Sequence, residues 1–186
     1  MRIIGGEAKG RIILLPKGYT TRPTSDKTKE TLFNILHNVE GKCLLDLFAG
    51  SGNVGLEALS RRASRVVFIE KDSTLAKAIK RSICNFEFNG RGEVIAMDSG
   101  TGIRELHQRG ERFDILFADP PYEKGFVKKT LQNLKDWGVV VCNGIIIFQH
   151  SIREPLHEIA SDHYILTDQR RSGDTTLSFL KLNPVE

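Results

Sequence analysis

The chain has 186 residues, of which 40% are hydrophobic and 27% charged. Its formal net charge is +4 and its pI about 9.0. That balance fits one globular domain, residues 1–186, and leaves little room for a separate recognition domain. Cys43, Cys84 and Cys142 stand far apart, as do His37, His107, His150, His157 and His163. No pair has metal-ligand spacing and an odd cysteine count argues against a disulfide framework, so no metal is expected and the cysteines read as small core residues. No apolar run is long enough to span a bilayer and the N-terminus lacks the apolar core of a signal peptide, so a cytoplasmic location is expected.

Residues 1–24 form a basic extension. Arg2-Ile3-Ile4 and Arg11-Ile12-Ile13-Leu14-Leu15 read as two short strands around a glycine-rich turn. Thr24-Ser25-Asp26 reads as a helix cap. The helix it opens carries Leu32, Phe33, Leu36 and Val39 at helical spacing. Strands follow at 42–47, 65–70, 93–96, 113–118 and 145–149. Helices alternate with them: one through Leu56 and Leu59, then 74–86, 102–107, 126–134 and 154–160. The last segments, 164–169 and 175–182, flank Arg170-Arg171-Ser172-Gly173-Asp174 as a hairpin. Strands alternating with helices predict a mostly parallel α/β sheet with helices on both faces, to which the final hairpin adds antiparallel strands.

Asp46-Leu47-Phe48-Ala49-Gly50-Ser51-Gly52-Asn53-Val54-Gly55 joins the first of these strands to its helix. Gly50, Gly52 and Gly55 have the dinucleotide-loop spacing, where glycine lets the backbone turn sharply and approach a ligand. A tight strand-to-helix turn accounts for the same spacing. Glu70, ending the second strand, stands where an acidic residue takes ribose hydroxyls. Asp46, just before the glycines, would repel a pyrophosphate and suits a cationic ligand. That favours S-adenosylmethionine, with its ammonium and sulfonium, over NAD, while a turn or capping role for Asp46 stays open.

Asp119-Pro120-Pro121-Tyr122 follows the fourth strand and is expected at the same sheet edge as the glycine loop. An exocyclic base amine is a poor nucleophile, because its lone pair is delocalised into the ring. Acceptors that hold both N–H protons turn that lone pair toward an incoming methyl group. Asp119 supplies one acceptor and the Pro120 carbonyl a second. Pro121 stiffens the loop, and Tyr122 offers a face for a flipped base.

Together these motifs resemble an amino-methyltransferase of the Rossmann-like class. Arg2-Ile3-Ile4-Gly5-Gly6, Lys9-Gly10-Arg11, Arg22-Pro23-Thr24, Leu32-Phe33-Asn34-Ile35-Leu36 and Gly173-Asp174-Thr175 narrow the resemblance to the bacterial RsmD-type family. Nearly the whole chain takes part. The resemblance implies a class I methyltransferase fold with a seven-stranded sheet, a C-terminal antiparallel hairpin and a short N-terminal β-hairpin. It implies methylation of guanine N2 in 16S rRNA of the small ribosomal subunit or an assembly intermediate. For the donor it implies Asp46, Phe48, Gly50, Gly52, Glu70, Lys71, Asp98 and Asp119. Asp98 reads equally well as a helix cap before Gly100. For RNA, Lys9, Arg11, Arg22 and Thr24 are expected, and a solvated basic face explains them nearly as well. Two departures stand out: Asn53, where a small apolar residue is usual and asparagine can cap the next helix, and Gln149-His150-Ser151, where a glutamate is usual after the fifth strand. Rival readings are a DNA adenine-N6 methyltransferase, a non-catalytic RNA-binding assembly protein and an NAD-dependent oxidoreductase.

Overall fold

The computed structural model describes residues 1–19, 25–156 and 163–183. Five helices and seven strands are resolved among them. In chain order they are α1 (Asp26–Leu36), β1 (Cys43–Leu47), α2 (Asn53–Ser60), β2 (Arg65–Ile69), α3 (Ser73–Asn85), β3 (Gly92–Ile95), α4 (Ser99–Gln108), β4 (Phe113–Ala118), α5 (Phe126–Asp136), β5 (Val140–Ser151), β6 (Tyr164–Ser172) and β7 (Thr175–Leu182). The seven strands run in the order β3-β2-β1-β4-β5-β7-β6. The chain falls into two compact units, Met1–Asp98 and Ser99–Glu186.

In the first unit β1, β2 and β3 are parallel, with Leu45 level with Val67 and Phe68 level with Val94. Leu44, Leu45, Leu47, Val66, Val67 and Phe68 are all essentially inaccessible, as strands covered on both faces must be. Parallel pairing brings the carboxyl ends of these three strands to one edge. α1 begins where expected: Ser25 is its cap, and the Ser25 hydroxyl accepts from the Thr28 amide at 3.1 Å. It stops at Leu36 because His37 takes a left-handed backbone, so Val39 is buried outside the helix.

The two arms of the N-terminal segment pair antiparallel over a short stretch. Arg2 bridges Ile12, and the Ile3, Gly10 and Ile13 amides donate to the Arg11, Ile3 and Met1 carbonyls, each at 2.9 Å. The residues between the arms bond to α2: the Ile4 amide donates to Glu57 at 2.8 Å, and the Ser60 hydroxyl accepts from the Ala8 amide at 2.9 Å and donates to the Gly5 carbonyl at 2.6 Å. These bonds take up backbone groups that would otherwise extend the pairing. Ile3, Ala8 and Ile13 are buried with them.

In the second unit β4 and β5 are parallel, while β7 runs antiparallel to both β5 and β6. β5 begins at Val140, earlier than its apolar run suggests. Cys142 and Asn143 near its start are exposed, and its register shifts against β4 between Phe113 and Ile115. The hairpin turn is tighter than the polar run 170–174 implies. Arg170, Arg171 and Ser172 pair with Leu177, Thr176 and Thr175, leaving Gly173 and Asp174 as the turn. β6 is the last strand in the order, and charged side chains are ordinary on such an edge. The helix expected at 154–160 falls largely outside the described residues. Cys84 and Cys142 are exposed and Cys43 is half-buried, so the cysteines are not core residues; Cys84 sits on the outer face of α3 and Cys142 on the exposed start of β5.

Candidate functional site

The loop after β1 is built by its backbone. Phe48, Gly50 and Gly52 have φ of 59°, 55° and 73°. For Phe48, which has a Cβ, a left-handed backbone is strained. The three glycines do different work. A Cβ on Gly55 would stand 2.2 Å from the Phe68 ring, so this glycine lets α2 lie against β2. At Gly52 a Cβ would meet Ile79 at 3.1 Å. At Gly50 the nearest atom would be the Phe48 carbonyl oxygen, 3.9 Å away, so the backbone here borders open space.

Two carboxylates hold this loop. Asp46, only 2% exposed, accepts from the Gly55 amide at 2.9 Å, which satisfies a donor of the first turn of α2. The turn role is therefore real. Glu70 follows β2; one of its oxygens accepts from the Gly50 amide at 2.6 Å and the other from the Asp72 amide at 2.8 Å. A carboxylate has about four acceptor sites, so Glu70 keeps capacity for ligand hydroxyls. Lys71 and Asp98 are exposed, and Asp98 immediately precedes α4. Asp72 caps α3, accepting from Thr74 and Leu75, and the Tyr19 hydroxyl donates to it at 3.1 Å. Hydrogen bonds, led by that from the Leu75 amide, hold the Asp72 carboxyl below its ordinary value.

Asn53 does not cap α2. The cap position is Gly52, and Asn53 is the first buried residue of the helix. Its carbonyl oxygen accepts from Lys29 Nζ at 2.9 Å. Lys29 is wholly buried, also donates to the Arg2 carbonyl at 2.6 Å and lies 3.7 Å from the equally buried Glu57. This cluster escaped the sequence reading, although its signal was present: Lys29 falls three, four and seven residues before Leu32, Phe33 and Leu36, on their helix face.

The second unit carries the tetrapeptide. It leaves the carboxyl end of β4 with Asp119 half-exposed, Pro120 buried, Pro121 exposed and Tyr122 half-buried. Gln149, near the end of β5, is 7% exposed. Its amide nitrogen donates to Asp119 Oδ2 at 3.0 Å and to the Tyr122 hydroxyl at 3.4 Å. The Tyr122 hydroxyl also lies 3.3 Å from the Thr175 hydroxyl at the start of β7. After Tyr122 the chain turns through a left-handed Glu123 (φ 58°), whose carboxylate accepts from the Ser151 hydroxyl at 3.1 Å. Gln149 and Thr175 were not assigned from sequence. The departure at Gln149 was the available signal; Thr175 reaches Tyr122 only through the β5–β7 pairing.

His150 is buried beside them in β5. A carbonyl can only accept, so Nδ1 carries the proton it gives to the Ser151 carbonyl at 2.9 Å, and Nε2 accepts from the Ser178 hydroxyl at 2.7 Å. Desolvation lowers its pKa below 6.5.

Of the residues expected at RNA, Lys9 is exposed. The Arg11 guanidinium donates to the Asn85 carbonyl at 2.8 Å and lies 5.7 Å from the Phe86 ring centre, so it is partly committed to the end of α3. Arg22 and Thr24 lie outside the described residues. Among the described residues no helix is long and apolar enough to cross a membrane, and no group of three or more His, Cys, Asp or Glu side chains is placed to hold a metal.

Comparison with known proteins matches residues 1–181 to the family described as Conserved hypothetical protein 95. YlbH of Bacillus subtilis is 32% identical over 182 residues, covering 97% of this chain and 98% of its own. The Ribosomal RNA small subunit methyltransferase D of Escherichia coli K12 is 34% identical over 164 residues, covering 87% and 80%. Among solved structures, yhhF from Escherichia coli superposes with a TM-score of 0.85 at 30% identity, covering 98% of this chain and 97% of that one.

Proposed function

Because this chain belongs to the ribosomal RNA small subunit methyltransferase D (RsmD) family, we propose that it transfers a methyl group from S-adenosylmethionine to the N2 amine of a guanine in 16S rRNA. The observation that carries the reading is the Asp119 carboxylate at the end of β4, held by Gln149 with the Tyr122 ring beside it. A carboxylate accepts an amine proton, and the Pro120 carbonyl takes the other. With both protons held, the nitrogen lone pair points away from the acceptors, and it strengthens as a nucleophile as it leaves conjugation with the ring. The amine becomes acidic once the methyl arrives, so no prior deprotonation is needed. Tyr122 supports the base by stacking.

S-adenosylmethionine supplies an electrophilic methyl group on a sulfonium. The first unit fits such a donor: Gly50 borders open space, Phe48 and Gly52 turn the backbone around it, and Glu70 keeps acceptor capacity for ribose hydroxyls. Asp46 weighs against an anionic ligand, as a buried carboxylate repels a pyrophosphate. Asp98 and Lys71 border the donor in this reading. Lys9 and Arg11, with Arg22 and Thr24, contact RNA phosphates or sugars. Residues 1–186 act as one methyltransferase domain working on the small subunit, or an assembly intermediate of it, in the cytoplasm.

The test is incubation with labelled S-adenosylmethionine and small ribosomal subunits, duplex DNA or free RNA, followed by mass spectrometry of the nucleosides. N2-methylguanine from small subunits is the expected product, with a rate that falls as salt rises. N6-methyladenine, or no methylation at all, would overturn the reading.

A further inference from the structure

Among the described residues, Gln149 Oε1 is the buried side-chain oxygen left without a hydrogen-bond partner. Its orientation is not arbitrary. Asp119 Oδ2, 3.0 Å from the amide nitrogen, can only accept, so the carboxylate turns Nε2 toward itself and Oε1 away. Both Nε2 protons have acceptors, in Asp119 and the Tyr122 hydroxyl. The oxygen has none, and a buried acceptor with no donor is a standing cost that a packing role does not explain.

The two candidate bases differ in the ring atom beside the amine. Guanine carries N1–H there, a donor. Adenine carries a bare N1, an acceptor. If Asp119 and the Pro120 carbonyl hold the amine protons, one guanine donor on that edge still needs an acceptor. Against adenine, the same oxygen would face a lone pair.

We propose that Gln149 determines base specificity: while its amide nitrogen holds Asp119 and Tyr122, its Oε1 accepts the N1–H of guanine. The oxygen is covered in the free protein, so the base reaches it only as the side chains over it rearrange, with Asp119 still held by the amide nitrogen. This rests on the guanine-N2 reading above and says which atom makes the choice.

The decisive substrate is 2-aminopurine, which keeps the 2-amine and has a bare N1. Small subunits are assembled with guanine or 2-aminopurine at the nucleotide that mass spectrometry identifies as methylated, and single-turnover rates are compared at saturating S-adenosylmethionine. The wild-type protein should favour guanine, and Gln149→Leu should shrink that preference at least fivefold. Differences in intrinsic amine reactivity cancel, because each variant meets both bases. Gln149→Met, close in length, takes its place should the leucine variant fail to fold. Gln149→Glu should restore the preference when its carboxyl is neutral, giving a proton to Asp119 and presenting its other oxygen to N1–H. Its rate should therefore fall as pH rises and the pair loses the shared proton, whereas the wild-type rate should not follow that titration. An unchanged guanine preference in Gln149→Leu or Gln149→Met overturns the proposal while leaving N2 methylation standing. A wild-type protein that methylates no guanine overturns the functional reading, and this inference with it.

Discussion

The loops after β1 and β4 both hold groups that the proposed function assigns to a ligand, and they hold them by different means. Residues 48–52 are shaped by backbone: three left-handed residues, with the carboxylates of Asp46 and Glu70 bonded to backbone amides. Residues 119–122 are positioned by side chains from elsewhere in their unit, Gln149 from β5 and Thr175 from β7. A backbone-built loop keeps its shape when its side chains vary, but tolerates no Cβ where one would clash. A side-chain-built site depends on a few polar contacts and can lose its chemistry without losing its fold. Substitutions in the two loops should therefore separate stability from rate.

The largest effect is expected at Asp119. In the proposed mechanism its hydrogen bond to the amine tightens as the nitrogen becomes tetrahedral and positive, so it acts mainly in the transition state. Asp119→Ala should slow the single-turnover rate a hundredfold or more, about 3 kcal/mol, with little change in melting temperature or RNA affinity. A near wild-type rate would discard the mechanism.

The converse is expected at the glycines. Gly55→Ala puts a methyl group 2.2 Å from the Phe68 ring and should cost about 1–3 kcal/mol of stability. Gly50→Ala meets no neighbour but must hold φ near 55°, at about 1 kcal/mol. Thermal melts should rank Gly55→Ala below Gly50→Ala, while calorimetry with S-adenosylmethionine should find the larger loss per unit of stability at Gly50. Equal effects on both readouts would mean that Gly50 serves packing alone.

Tyr122→Phe sharpens the comparison further. It removes the hydroxyl with its long contacts to Thr175 and Gln149, at 3.3 and 3.4 Å, and keeps the ring. The rate should change less than fivefold, whereas Tyr122→Ala should lose about 1–3 kcal/mol of base stacking, seen as weaker substrate binding.

The smallest effect concerns pH. His150 is buried neutral with a lowered pKa, so the unfolded chain takes up its proton first as pH falls. Its contribution to stability is present above the ordinary histidine value of 6.5 and is lost as pH falls toward the lower value in the fold. Melting temperature should drop between pH 7.5 and 5.5, and His150→Gln should flatten that drop. An unaltered slope in the variant would show that another group carries it.

Periodicity and punctuation were enough for most of the frame. The apolar runs at Cys43–Leu47, Arg65–Ile69 and Phe113–Ala118 announced β1, β2 and β4 almost to the residue, and glycine spacing marked the turn before α2. Strand edges were harder to read. Arg170-Arg171-Ser172 looks like a loop by composition, because a strand at the edge of a sheet owes nothing to burial and can be polar throughout. The start of β5 was missed because the exposed Cys142 and Asn143 separate Val140-Val141 from the apolar run that follows.

The tetrapeptide 119–122, to which the proposed function gives the chemistry, stands out in sequence because proline and aspartate act locally: one restricts the backbone and the other brings its own acceptor. What those groups touch was not legible. Asn53 reads as a cap from its position and becomes a partner of Lys29 because α1 delivers a lysine on its buried face. Gln149 reads as a departure from a family pattern and becomes the residue that holds Asp119 because β5 lies parallel to β4 and ends beside it. Sequence determines which groups are present and which backbone states they favour, since those preferences act over a few residues. Contacts between residues 24 to 53 positions apart exist only once strand order and register are set, and for Lys29, Gln149 and Thr175 tertiary structure alone decided the role.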